Sequence, residues 1–115
     1  MGSDLPILSF RSAAALRQWL QANHDKSRGI LVRIYKKGSG TESVSFEDVL
    51  DEGLCFGWSE SKRLKGDGTS YLQQFTPRKS PGTDSERNRT RVKRLEREGR
   101  MTEAGVSALK AEMSP

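Results

Sequence analysis

At 115 residues, 33% hydrophobic and 30% charged, the chain is read as a single domain, 1–115, with a thin core and flexible ends expected at 1–9 and 113–115. A lone cysteine, Cys55, excludes an intramolecular disulfide, and with one histidine, His24, no Cys/His metal set can form, so neither a metal nor a cofactor is expected. The net charge of +5 is uneven: residues 1–60 hold 7 Lys/Arg against 8 Asp/Glu, whereas residues 61–115 hold 13 against 7.

Ser12 is placed to cap a first helix running to about His24, with Leu16, Trp19 and Leu20 on one face. Asp25 to Gly29 reads as a turn. Ile30 to Tyr35 alternates as a strand, with Ile30, Val32 and Ile34 on one side and Leu31, Arg33 and Tyr35 on the other. Lys36 to Ser43 is a Gly/Ser-rich loop. Ser45 and Asp48 then have capping-box spacing, and Phe46, Val49, Leu50, Gly53 and Leu54 follow the helical repeat as far as a glycine stop at Gly57.

Trp58 to Leu64 and Ser70 to Thr76 read as two strands of a hairpin joined through Lys65-Gly66-Asp67-Gly68-Thr69. Pro77 ends the second strand. A third helix is predicted from near Ser85 to Gly99, with only Val92 and Leu95 apolar inside it. Thr102 is placed to cap a last short helix carrying Val106, Leu109 and Met113. The fold class is therefore α+β, with a small antiparallel or mixed sheet of about three strands, about four helices and the order α-β-α-β-β-α-α.

Catalytic sets are sparse. His24 sits at a helix end beside Asp25, where the helix dipole favours a cation. A serine nucleophile has no second histidine to draw on. Gly38-Ser39-Gly40 lacks the Lys-Ser/Thr ending of a phosphate loop. No start resembling a signal peptide and no apolar run of about 20 residues is present, so no membrane insertion is expected and the expected location is the cytoplasm.

The strongest electrostatic signal lies on the third helix. Arg87, Arg91 and Arg94 share one side, Arg89, Lys93, Arg97 and Arg100 cover much of the rest, and Glu86, Glu96 and Glu98 partly neutralise them. A helix in a nucleic-acid groove has this composition, and so does an exposed helix of a basic protein. No helix-turn-helix, zinc-finger, RRM or KH pattern accompanies it. A second constellation joins Thr76-Pro77-Arg78 to the same helix. If that helix folds back over the sheet, Arg78, Asn88 and Arg91 converge as a guanidinium pair with an amide, suited to a carboxylate or a phosphate.

Four blocks, Leu54-Cys55-Phe56-Gly57-Trp58, Tyr71-Leu72-Gln73-Gln74-Phe75-Thr76-Pro77-Arg78, Asn88-Arg89-Thr90-Arg91-Val92-Lys93-Arg94-Leu95 and Gly99-Arg100-Met101-Thr102, resemble the YdeI/OmpD-associated family, also labelled bacteriocin-protection. Where that family has Ile-Asp-Gly after Gly57-Trp58, this chain has Ser59-Glu60-Ser61. Where it has Ser-x-Trp-Ser, this chain has Gly82-Thr83-Asp84-Ser85, so the aromatic is replaced by Asp84. The resemblance implies a compact α+β fold and a part in tolerance of bacteriocins or antimicrobial peptides.

The sequence leaves three readings open. The first is a non-enzymatic binding domain that holds an anionic ligand or nucleic acid with Arg78, Asn88, Arg91 and Arg94, beside Thr76. The second is a small-ligand pocket or enzyme near Trp58, Glu60, Arg78 and Asn88. In the third, the same residues staple the hairpin to the helix.

Overall fold

In the computed structural model, which describes residues 4–78 and 86–113, the local signals place most elements as read. Helix α1 spans Ala13–Asn23, and the Ser12 hydroxyl accepts the Ala15 amide at 3.2 Å. Helix α2 spans Phe46–Phe56 with both capping-box bonds made: the Asp48 amide donates to Ser45 Oγ at 3.1 Å and the Ser45 amide to Asp48 Oδ2 at 3.0 Å. Gly57 ends α2 in the left-handed region at φ 76°, where any side chain is strained.

The strands are β1 (Ile7–Ser9), β2 (Ile30–Tyr35), β3 (Trp58–Lys65) and β4 (Ser70–Pro77). The sheet is therefore four-stranded and mixed, in the order β1-β2-β4-β3. β1 runs parallel to β2, and the remaining pairs are antiparallel. The added strand is β1, within residues 1–9, where the sequence predicts a flexible end. Its three residues carry no readable alternation and become a strand only by pairing with β2, Leu8 opposite Val32. Helices α3 (Glu86–Arg97) and α4 (Glu103–Met113) close the chain.

The core lies between the sheet and the helices. Ile30, Val32, Ile34, Trp58 and Phe75 meet Leu16, Leu20, Val49 and Leu54 there. Trp58 bridges the layers, with ring centroids 5.7 Å from Trp19 and 5.0 Å from Phe75. The irregularity in β3 between Glu60 and Arg63 is matched by buried Gln73, whose amide nitrogen donates to the Lys62 carbonyl at 3.1 Å. Helix α4 packs tightly on α2: Thr102 donates through its amide and its hydroxyl to the Cys55 carbonyl and caps α4 through the Gly105 amide. Leu109 is buried, whereas Val106 is 47% exposed, because α4 turns only a narrow side to α2. The Met113 side chain, the Ser85 start predicted for the third helix and residues 79–85 lie outside the described residues.

Candidate anion-binding face

Helix α2 carries Glu47, Asp48, Asp51 and Glu52 and no basic residue. Asp48 is used in the cap. Glu47 and Asp51 are one helical turn apart and share a side. Helix α3 lies against that side, and its own apolar contribution is only Val92 and Leu95. Charge supplies much of the remaining contact. Arg91 donates from Nη1 to Asp51 Oδ1 at 2.9 Å and from Nη2 to Glu47, and Arg94 Nη2 reaches the same Asp51 oxygen at 2.8 Å.

A second half of the network surrounds Glu52, which is 2% exposed. Its Oε1 accepts Arg17 Nη1 at 2.9 Å and its Oε2 accepts Arg100 Nη2 at 2.7 Å. Arg17 also donates to the Arg100 carbonyl at 2.7 Å. Glu98 joins the halves, 3.0 Å from Arg100 Nη1 and 3.5 Å from Arg94 Nη1. Burial opposes the charge of Arg91, but its hydrogen bonds to Glu47 and Asp51 outweigh that and raise its pKa. Burial likewise opposes Arg100, and the bonds to Glu52 and Glu98 raise it. Arg94 is raised chiefly by its bond to Asp51. Four arginines (17, 91, 94, 100) thus face four acids (47, 51, 52, 98), and the network is close to neutral.

The outer side of α3 differs. Arg87, Arg91, Arg94 and Arg97, with Glu86 and Thr90, line a shallow groove of about 540 Å³. Arg87, Lys93 and Arg97 are exposed, and none has an ion pair among the described residues. Arg87 and Arg97 are ten positions apart on the helix, about 15 Å along its axis.

The residues singled out from the sequence are not gathered in one depression. Arg91 and Arg94 meet at Asp51 and reach the α3 groove. Thr76 and Arg78 line a different depression, with Arg28 and Gln74. Trp58 belongs to the core: it is 1% exposed and its Nε1 donates to the His24 carbonyl at 3.3 Å, so it offers a ligand almost no surface. Glu60 pairs in register with Phe75, on the helix-covered side of the sheet, whereas Thr76 pairs with Ser59 and takes the other side. Asn88 is half-buried on α3 and lines neither depression.

Sequence reasoning did not find Glu47, Asp51, Glu52, Arg17 and Arg100 as one network. The available signal was charge segregation between elements: an all-acidic α2 in a near-neutral first half, and a basic α3 in the second. No group of three or more His, Cys, Asp or Glu is placed to hold a metal ion among the described residues. Cys55 is fully buried, and burial pushes its thiol pKa up against an opposing hydrogen bond with Arg17. No helix among the described residues is long and apolar enough to cross a membrane.

Over residues 8–108 the chain matches the family described as a domain of unknown function, DUF8412. No curated protein and no solved structure matches it.

Proposed function

The chain belongs to the DUF8412 family, and from the geometry of α3 we propose that it is a non-enzymatic binding domain receiving a polyanion, nucleic acid in the first instance, on the outward face of that helix. The observation that carries this reading is the row of four arginines, Arg87, Arg91, Arg94 and Arg97, lining one groove. The acids behind the row divide it into two kinds of cation. Arg91 and Arg94 are braced by Asp51, so their guanidiniums are positioned in advance but largely neutralised. Arg87 and Arg97, with Lys93, are exposed and have no ion pair among the described residues. A row about 15 Å long exceeds a single small anion and suits successive phosphates of a strand.

Amide shifts of the labelled full chain, titrated with a short oligonucleotide at low salt, test this. Shifts concentrated in 86–97 are expected; their absence, or an even scatter over the chain, makes α3 a solvated face. The braced pair also favours a second reading, in which Arg91 and Arg94 serve only to dock α3 on α2. Under it, Arg91→Ala lowers stability and no anion shifts the 86–97 amides.

The four blocks similar to the YdeI/OmpD-associated family support a further proposal, that this binding serves tolerance of bacteriocins or antimicrobial peptides. A basic face repels cationic peptides, so protection would act through an anionic partner and not by capturing the peptide.

A further inference from the structure

The depression lined by Leu5, Arg28, Gln74, Thr76, Pro77 and Arg78 is separate from the α3 groove and has a volume of about 450 Å³. That volume is within the range of small-molecule sites, roughly 300–1,000 Å³. Gly29 adjoins two of its lining residues. The backbone there has φ 140°, and a Cβ would stand 2.6 Å from Thr76 Cγ2 and 3.2 Å from Leu5 Cδ1. The missing side chain is what lets Leu5 and Thr76 close together. Two guanidiniums, an amide and a hydroxyl share the lining with the apolar bodies of Leu5 and Pro77.

The chain itself shows what Arg28 takes. Its Nη2 holds the Asp4 carboxylate at 2.9 Å, with the two side chains 75% and 81% exposed. An ion pair that open contributes little and exchanges readily with a competitor. A guanidinium accepts a carboxylate or a phosphate, but an apolar wall beside it adds affinity only for a ligand with a hydrocarbon body.

We propose that this depression is a binding site for a small organic carboxylate with a short apolar tail, its head group on Arg28 and Arg78 in place of Asp4 and its tail against Leu5 and Pro77. The site is independent of the polyanion face.

The test is an amide-shift titration of the full chain with acetate, butyrate and inorganic phosphate at constant ionic strength. Butyrate is expected to shift Gly29, Gln74 and Thr76 at millimolar concentrations and to bind more tightly than acetate, by up to about fourfold per added methylene. Asp4→Asn removes the competing carboxylate and is expected to tighten butyrate binding about two- to fivefold. Arg28→Gln is expected to weaken it about tenfold. Both positions are exposed, so neither variant threatens the fold, and Arg87→Ala with Arg97→Ala is expected to leave butyrate binding unchanged. Three results would overturn the proposal: no shift at those amides, equal binding of butyrate and inorganic phosphate, or an Asp4→Asn variant that binds butyrate no better than wild type.

Discussion

Glu52→Ala tests the ionic network where it is deepest. The carboxylate is 2% exposed and accepts charge-assisted bonds from two arginines, at 2.9 and 2.7 Å. Such bonds contribute about 1.5–3 kcal/mol each, and removing one partner of a buried pair costs about 3–5 kcal/mol. Arg17 and Arg100 are not sealed in: their side chains are 26% and 32% exposed and can regain water. The expected loss is therefore at the low end, about 3 kcal/mol, out of a total of about 5–15 kcal/mol for a domain. At about 4 °C per kcal/mol for a chain of this size, the melting temperature should fall by about 12 °C. Urea denaturation measures the effect as a lower midpoint with an unchanged slope. Glu96→Ala, at an exposed position of α3, is the control and should stay within about 0.5 kcal/mol of wild type. A Glu52→Ala protein within about 1 kcal/mol of wild type would refute the view that the Glu52 ion pairs hold Arg17 of α1 and Arg100 against α2.

Gly105→Ala places a Cβ 2.3 Å from the Cys55 carbonyl oxygen and 2.5 Å from that of Leu54. Backbone cannot swing aside, so α4 must lift from α2, with an expected loss of about 2 kcal/mol by denaturant titration. A neutral Gly105→Ala would mean that the α2–α4 contact is looser than described. Asp67 is held down to about 2 by the Thr69 amide, the Ser70 hydroxyl and the Thr69 hydroxyl. That lies below the unfolded value of about 3.9, so its contribution is complete above about pH 4 and is lost as pH falls towards about 2. Carboxyl chemical shifts read this directly, and an Asp67 that titrates near 4 would contradict the hairpin geometry. Cys55 is fully buried with its thiol pKa raised, so a thiol reagent at neutral pH should react at the rate of unfolding. Immediate labelling of the folded protein would contradict that burial.

Features set by neighbouring residues were legible in the sequence. Ser12, the Ser45–Asp48 box and Gly57 declare helix ends through bonds and backbone angles within a few positions. The alternation in β2 places Ile30, Val32 and Ile34 on one side, and that side faces the core. What depends on distant partners was not legible. Ile7–Ser9 is a strand because β2 lies beside it. Trp58 appeared as a candidate pocket residue, but the meeting of α1 with the sheet seals it between Trp19 and Phe75. The basic helix was visible as composition. Its division into braced and free arginines was not, because Asp51 lies forty residues before Arg91 and only the packing of α3 on α2 joins them. Thr76 and Arg78 are two residues apart and share a depression; their meeting with Arg28 needed the sheet register.

The central claim is that the free arginines of α3 hold a polyanion. Its most direct test is the affinity of a labelled oligonucleotide, measured by fluorescence anisotropy across a salt series, for wild type and for Arg87→Ala with Arg97→Ala. Wild type should bind more weakly as salt rises, and the double variant should lower the slope of log affinity against log salt by about 1.4 for a single strand or about 1.8 for a duplex, with no loss of stability. A wild-type affinity that does not change with salt, or a double variant with the wild-type slope, would contradict the account.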